Sequence, residues 1–523
     1  MHQDLGSDLL QGWIARAAAR APDKPWLVLA DNGRTIGYGQ LREMAGKFAA
    51  FLRGRGLGPN DRVALLADNS IEQLLCYLGI MAAGATVCTI HVEMNRNQLD
   101  DIFARLKPKL VLYQDGLRLD DLLAGVDAPR LRIGRCGAPS ADTVFGELAR
   151  CAPGEPASPA RPDDDAVILF TSGTSAKPKG VVLNFREYIS NIDPLADGFG
   201  ITASDRLYDF RPFSWASAQL LGALAPVNRG ATLVLAEKFS ANRFFAHLRD
   251  RGVTIAAGNP TTLNILLNTA AQAHRDNLPA LRFVTSSSAP LLLDEWKRFE
   301  QKFGVPVAQG YGASEASWIA AIPGERRRLG TVGRPFSYHD LAIVDGKGRR
   351  LPAGELGHIE LGGWPSHPFR YLAEDGAITI HSRGRFRTGD IGSLDADGFL
   401  VLTGREKELI IRGGAKISPM EIDSCLMQCA EIIEAATIGI PDAVYGEEVV
   451  SYVVTRPGAR LDIEALLKHC AARLPAFKAP KQIVLSASLP KTARGKLDRR
   501  ALVERWNREV SASVPSPFAG DSR

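Results

Sequence analysis

The chain has no uninterrupted apolar run long enough to cross a bilayer, so a transmembrane segment is not expected. Its first residues, Met1-His-Gln-Asp-Leu-Gly-Ser-Asp, lack the basic-then-apolar layout of a secretion signal. Cysteine is scarce, with seven in 523 residues, scattered and odd in number. Cys425 and Cys429 lie at helical spacing, but no second pair or histidine cluster completes a metal site. Buried free thiols in a reducing cytoplasm are the expectation. Charge of one sign is hardly in excess: 63 Lys+Arg against 58 Asp+Glu leave a formal +5. That surplus is too small and dispersed to indicate nucleic acid, although it can help attract small polyanions. Internal repeats are absent. With 45% hydrophobic and 23% charged residues, what remains is an ordinary globular composition.

At 523 residues the chain is too long for one core, so more than one domain is expected. Helical signals at Leu10–Ala19, Tyr38–Leu52, Ile71–Ala83 and Gln98–Leu106 alternate with strand signals at Trp26–Leu29, Arg62–Leu66, Ala85–Ile90 and Lys109–Tyr113. Alternation at this spacing predicts parallel α/β layers. Cys136–Asp165, rich in Pro, Ala, Gly and Asp, reads as a surface connection. A second α/β stretch has strands near Ala231–Leu235, Val253–Ala256 and Leu281–Val284, with helices at Ala241–Asp250 and Leu291–Phe303. Leu341–Leu402 becomes strand-rich, with Asp345-Gly346 and Asp397-Gly398 as turn signals, and predicts a β subdomain. Beyond Gly404, Leu409–Ile411, a helix over Pro419–Cys429, Ala435–Ile440 and Val449–Val454 predict a compact α+β unit. The expected fold class is therefore α/β. Residues 1–403 form a large N-terminal domain, 404–508 a small C-terminal one, and 509–523 a disordered tail.

Candidate chemistry sits in the loops. Phe170-Thr-Ser-Gly-Thr-Ser-Ala-Lys-Pro-Lys-Gly180 lies between Ala166-Val-Ile-Leu-Phe170 and Val181-Val-Leu183. Glycine permits close backbone approach, hydroxyls and N–H groups turn toward oxygen, and lysine supplies charge, so this loop can wrap an anion. Alone it equally fits a polar hairpin, and its Lys-Gly order is not that of the P-loop. Gln309-Gly-Tyr-Gly-Ala-Ser-Glu315 offers a tyrosine face able to stack on a nucleobase and a carboxylate able to hold Mg²⁺. A tight turn with a capping glutamate is the plainer alternative. Asp390, at the end of Phe386-Arg-Thr-Gly-Asp390, can accept from two ribose hydroxyls or simply shape a turn. Arg405 suits phosphate or ribose, or is surface charge, and Lys496 lies in a basic loop that reads as a phosphate clamp or a solvated loop.

In this order, Phe170–Gly180, Tyr311-Gly-Ala-Ser-Glu315, Arg387-Thr-Gly-Asp390, Gly404-Arg405 and Pro490-Lys-Thr-Ala-Arg-Gly-Lys496 resemble the AMP-forming adenylating superfamily. That group includes acyl-CoA synthetases, nonribosomal adenylation domains and beetle luciferases, and the likeness spans about residues 10 to 505. The resemblance implies ATP, Mg²⁺ and CoA as cofactor and co-substrates. Thr171, Ser172, Gly173, Thr174 and Lys179 would cradle the β and γ phosphates. Gly310, Tyr311 and Gly312 would receive adenine against the Ser287-Ser288-Ala289-Pro290 turn. Ser314 would contact the α-phosphate and Glu315 the metal, while Asp390 with Arg405 would bind ribose. Lys496 would bridge the carboxylate and α-phosphate oxygens. The resemblance also implies a mobile C-terminal domain pivoting at Lys407, which replaces Lys496 by the strand around Gly413 and Gly414 at a pantetheine tunnel.

Within that resemblance the acid pocket falls on Arg211–Ser217, including Trp215 and Ser217, together with Asn259, Ser286 and Gln309. Amino-acid-activating relatives carry Phe-Asp in this stretch. Here Phe213 precedes Ser214, which disfavours an α-amino acid. Three departures stand out: Ser175-Ala176 replaces Thr-Gly, Ser314 replaces Thr, and Ser286-Ser-Ser288 replaces a glycine-rich turn. The implied activity is an acyl-CoA synthetase converting a carboxylic acid, ATP and CoA into acyl-CoA, AMP and pyrophosphate. A stand-alone adenylating enzyme that loads an acyl carrier protein is the alternative, and either is compatible with a homodimer.

Overall fold

The computed structural model describes residues 10–114, 119–154, 159–171, 178–269, 273–321, 327–362, 369–382, 384–492 and 496–513. Two large sheets dominate it. The eight-stranded sheet runs, edge to edge, Arg130–Arg132, Leu110–Tyr113, Arg62–Leu66, Thr86–Ile90, Asp165–Thr171, Lys179–Asn184, Phe369–Leu372 and Ile378–Ser382. Its first five strands are parallel, and the last three join antiparallel. The nine-stranded sheet runs Thr35–Gly37, Pro25–Leu29, Thr232–Leu235, Arg206–Asp209, Ile255–Ala256, Phe283–Ser286, Val307–Ala313, Ser317–Ala321 and Arg334–Pro335. Parallel strands covered on both faces need continuous apolar runs, and Val63, Leu65, Val87 and Leu233 supply them fully buried. The helices Leu10–Arg20, Tyr38–Gly54 and Ile71–Ala82 contribute to one large core shared by both sheets. Ile71–Ala82 is buried along its whole length: beyond its first turn it carries no charged residue, and Glu72 in that turn is paired with Arg34 at 2.9 Å. A second core, rich in phenylalanine, covers the other face of the nine-stranded sheet.

A four-stranded antiparallel sheet follows, from Asp340–Val344, Gly357–Gly362, Phe386–Leu394 and Leu400–Arg405. The last sheet is five-stranded and carries Ala415–Ile417, Ile410–Arg412, Gly446–Thr455 and Ile432–Asp442, with Gln482–Leu485 parallel to Gly446–Thr455. Helices Pro419–Leu426 and Ile463–Arg473 pack on one of its faces and Arg499–Ser513 on the other.

The α/β expectation holds, with corrections. Phe369–Leu372 and Ile378–Ser382 leave the expected β subdomain and extend the eight-stranded sheet beside Lys179–Asn184. Leu372 joins the core with Phe170 and Val182, and Arg370 reaches Asp165 at 2.7 Å and Glu187 at 3.4 Å. The expected surface connection over 136–165 contains a helix, Val144–Arg150, that buries Val144, Phe145 and Leu148 and is capped by Thr143. The helix expected over Pro419–Cys429 stops at Leu426. The final helix runs to Ser513, through the first residues of the expected tail. Cys76, Cys88, Cys425 and Cys470 are buried free thiols, while Cys136, Cys151 and Cys429 are partly exposed. Among the described residues no helix is long and apolar enough to cross a membrane.

Candidate active site

Strand Val307–Ala313 lies parallel to Phe283–Ser286 and then folds back antiparallel against Ser317–Ala321. Glycine flanks Tyr311 for steric reasons. A Cβ on Gly310 would approach the Trp318 ring to 2.3 Å, and one on Gly312 would approach the Ser317 carbonyl to 2.5 Å. Tyr311 donates its hydroxyl to Asp390 Oδ2 at 2.5 Å, and Arg405 Nε lies 3.0 Å from Asp390 Oδ1. Asp390 and Arg405 are cross-strand partners in the four-stranded sheet, whereas Tyr311 comes from the nine-stranded one. One carboxylate thus joins two sheets. Gly389, at φ +78°, sits inside strand Phe386–Leu394 where its pairing with Gly357–Gly362 shifts register, and the next N–H, that of Asp390, donates to Thr388 Oγ1 at 3.1 Å. Burial and the charge of Asp390 push the Tyr311 hydroxyl well above its ordinary pKa, so it remains a donor at neutral pH. The serine turn nearby carries strain. Ser288 sits at φ +75°, a left-handed conformation that costs a non-glycine residue about 1 kcal/mol.

The second cluster is built around Glu315, in the turn between Val307–Ala313 and Ser317–Ala321. Tyr371 Oη donates to Glu315 Oε1 at 3.1 Å, and Lys179 Nζ lies 5.7 Å from the centre of the Tyr371 ring. The displaced strand Phe369–Leu372 therefore delivers a tyrosine between the lysine of the glycine-rich hairpin and the carboxylate. That hairpin pairs Thr171 with Lys179 and Phe170 with Gly180. Ser172, Gly173, Thr174 and the departure at Ser175-Ala176 lie outside the described residues. Tyr371 was missed in the sequence because no local motif marks it. Glu315 presents oxygen, which suits Mg²⁺, an ion that takes one or two carboxylates and fills its remaining sites with phosphates and water.

On the expected acid side, Arg211 is 0% exposed and held bidentately by Asp209, with Nε to Oδ1 at 3.0 Å and Nη2 to Oδ2 at 2.6 Å. Its remaining reach goes to Ser287 Oγ, 3.2 Å, and the Ser217 carbonyl, 3.3 Å. The pair thus ties the Arg211–Ser217 stretch to the serine turn. Ser286 is fully buried and its hydroxyl has no partner. Asn259 and Gln309, expected to line the pocket, are held by hydrogen bonds to the backbone. Asn259 Oδ1 caps helix Pro260–Leu267 by accepting Thr262 N–H at 2.9 Å. Gln309 accepts Leu291 N–H at 2.5 Å and donates to the Thr331 carbonyl at 3.1 Å. Trp215 is half-buried and precedes the short helix Ala216–Ala218, which continues as a π-helix over Gln219–Leu224. In that π-helix the buried Gln219 donates to Thr89 Oγ1 and the Phe213 carbonyl, at 2.8 and 2.7 Å, and accepts from Tyr188. Such π-helical turns are frequent at functional sites.

Lys407 lies in an exposed 3₁₀ turn, Glu406–Glu408, between the four-stranded sheet and the small sheet. Gly413 and Gly414 are left-handed, at φ +55° and +83°, in the turn after Ile410–Arg412. Gly413 N–H donates to the Tyr445 carbonyl at 2.8 Å. Lys496 is half-buried in a loop closed by Thr492 N–H to its carbonyl, 2.7 Å. The structure therefore brings Tyr311, Asp390 and Arg405 into direct contact and sets Lys179, Tyr371 and Glu315 side by side. Lys407, Gly413, Gly414 and Lys496 belong to the small sheet and its connection.

Residues 14–364 match the family model described as AMP-binding enzyme, and residues 421–496 match the AMP-binding enzyme C-terminal domain. Among curated proteins, the chain is 34% identical over 505 residues to a sulfoacetate–CoA ligase of Cupriavidus necator, covering 95% of this chain and 97% of that protein. It is 31% identical to an oxalate–CoA ligase of Arabidopsis thaliana, covering 96% and 99%. Among solved structures, ATP-bound MatB from Rhodopseudomonas palustris superposes with a TM-score of 0.85 at 27% identity, covering 95% of this chain and 99% of that one.

Proposed function

The chain belongs to the AMP-binding enzyme family, and on that premise we propose that it joins a short, polar carboxylic acid to CoA through an acyl-adenylate, releasing AMP and pyrophosphate. The observation that carries this is the carboxylate of Asp390, held between Tyr311 and Arg405, together with the Glu315–Tyr371 pair, Glu315 following Tyr311 on the same hairpin. Fixed from both sides, Asp390 can accept the ribose hydroxyls with no loss of side-chain freedom on binding. Tyr311 would stack on adenine against the serine turn. Lys179 and Thr171–Thr174 serve the β and γ phosphates, and Ser314 the α-phosphate. Glu315, oriented by Tyr371, would hold Mg²⁺, which when bound neutralises charge on the phosphate oxygens.

The acid carboxylate attacks the α-phosphorus in line and pyrophosphate departs. The protein's part is positioning and placing positive charge where negative charge develops. Lys496 supplies that charge at the carboxylate and α-phosphate. The C-terminal unit, residues 404–508, then pivots at Lys407 and brings Gly413 and Gly414 to the thiol path. Support for a second docked face comes from the hairpin tips around these glycines, where Val444 is 81% exposed and Ile411 and Tyr445 are also exposed apolar residues.

A polar acid is supported by the unpartnered Ser286 hydroxyl, by Ser287 on the Arg211 fork, and by relatives named for sulfoacetate and oxalate. Arg211 is charge-matched by Asp209, so recognition rests on N–H and O–H donors rather than net charge. The test is thioester formation across sulfoacetate, oxalate, acetate, benzoate and decanoate, each with CoA and with a phosphopantetheinyl carrier protein. Short polar acids with CoA should turn over fastest. Preference for decanoate would overturn the pocket reading, and transfer only to the carrier protein would overturn CoA.

A further inference from the structure

Away from the nucleotide, helices Pro260–Leu267 and Leu293–Phe303 meet the small sheet at a buried carboxyl. Glu295 is 7% exposed and makes no ion pair with any described residue. Its Oε1 accepts from Asn264 Nδ2 at 2.6 Å, and the same nitrogen donates to the Ile433 carbonyl at 3.0 Å, on strand Ile432–Asp442. Asn264 Oδ1 in turn accepts from Asn268 Nδ2 at 2.6 Å, and Arg456 Nη1 of the C-terminal unit donates to Asn268 Oδ1 at 3.2 Å. Leu292 packs into the core of the small sheet. A polar chain from Glu295 to Arg456 and one apolar plug thus hold the C-terminal unit against the large body. All of it lies outside the residues assigned to the chemistry.

We propose that Glu295, acting through Asn264, is a positioning residue that clasps the C-terminal unit in the pose of this structure and so sets the partition between adenylation and thioester formation. The inference rests on the two-pose reading above. It is specific to this pose because the Ile433 carbonyl leaves Asn264 when the unit turns about Lys407. Lifting the unit gives the Glu295 carboxyl back to water.

The clasp is therefore sensitive to pH. Burial pushes the Glu295 carboxyl up to about 7 from an ordinary 4.5, against the Asn264 hydrogen bond and the Arg298 charge, with Glu434 adding to the rise. The charged groups around it are Asp294 and Arg298 on its own helix, Lys302 one turn further, and Glu434 and Arg456 from the C-terminal unit, with Glu434 itself paired to Lys491. Helix Pro260–Leu267 contributes no titratable group. The sign follows. A carboxyl whose pKa is higher when docked binds its proton more tightly there, so its contribution to docking is present at low pH and lost as pH rises through about 7. Between pH 5 and 8 the docked-to-released ratio should fall by roughly tenfold or more.

Glu295→Gln keeps the acceptor and removes the titration, and Asn264→Leu removes the clasp. Hydrogen exchange over residues 260–268 and 431–436 reads the contact without any need for activity. In the wild-type chain, protection there should fall from pH 6 to pH 8 after correction for intrinsic rates. Glu295→Gln should keep protection flat with pH, and Asn264→Leu should lose it at both. In the half-reactions, Glu295→Gln should slow thioester formation from supplied acyl-adenylate several-fold at pH 8, while Asn264→Leu should slow adenylation and spare that step. Protection with the same pH dependence in wild type and Glu295→Gln overturns the proposal. Absence of adenylation by the wild-type chain with any acid would instead overturn the functional reading, and leaves the exchange result to decide the clasp.

Discussion

At the scale of single residues, the strongest constraint is the position of Asp390. Its two oxygens are engaged by Tyr311 and Arg405, from separate sheets, at 2.5 and 3.0 Å. Removing one charge-assisted hydrogen bond costs about 1.5–3 kcal/mol. Tyr311→Phe should therefore weaken ATP binding by roughly ten- to a hundredfold while keeping the ring, as measured by calorimetric titration. Unchanged affinity would mean that the hydroxyl only supports the fold. Ser288 makes a different prediction. Its left-handed backbone is strained, so Ser288→Gly should raise stability by up to about 1 kcal/mol in urea unfolding. A loss would mean that the Ser288 side chain contributes more than its backbone costs. The sequence already marked this turn as lacking its usual glycine, and the positive φ is the physical content of that departure. Arg211 shows the opposite case. Nothing in Phe-Arg-Pro-Phe says that the arginine is wholly buried, because the partner that permits burial, Asp209, is recognised only once the strand end is in place.

At the scale of elements, local pattern and partner choice separate cleanly. The strands Arg62–Leu66 and Thr86–Ile90 were legible because parallel strands buried on both faces read as mostly apolar, β-branched runs, here Val63–Leu66 and Val87–Ile90 with Thr89 the one hydroxyl among them. Phe369-Arg-Tyr-Leu372 lies in the stretch that reads as strand-rich, but nothing there marks it as a member of the eight-stranded sheet. Its neighbour, Lys179–Asn184, is far away in sequence, and the choice is made by Leu372 entering the Phe170 core and by Arg370 finding Asp165 and Glu187. Helix Val144–Arg150 was hidden by the Pro- and Gly-rich residues around it, although Thr143 is an N-cap and Val144, Phe145 and Leu148 share a face. The misplaced strand matters most, since it delivers Tyr371 to Glu315. Tyr371→Phe removes one donor to Glu315 at a half-buried position and leaves the ring under Lys179. It should lower the adenylation rate about three- to tenfold with a thermal midpoint within 2 °C of wild type. A large fall in the midpoint would assign Tyr371 to stability instead.

At the scale of the whole molecule, the four-stranded sheet contributes Asp390 and Arg405, the nine-stranded sheet Tyr311 and Glu315, and the eight-stranded sheet Lys179 and Tyr371. Three sheets converge on the proposed nucleotide site, and the small sheet follows the exposed turn at Lys407 and touches the large body again through Asn264 and Asn268. With Lys496 on that small unit, its removal should affect only the step made in one pose. Lys496→Ala should slow adenylation by about a hundredfold or more and change thioester formation from supplied acyl-adenylate by less than threefold, read by quenched-flow of each half-reaction. Equal losses would contradict a swinging unit. Product stoichiometry with a short polar acid, ATP and CoA shows whether this chain works as an AMP-forming acid–CoA ligase. One AMP and one pyrophosphate should appear for each acyl-CoA formed, with no turnover when the acid is left out. Formation of ADP and phosphate, or nucleotide turnover independent of the acid, would contradict it.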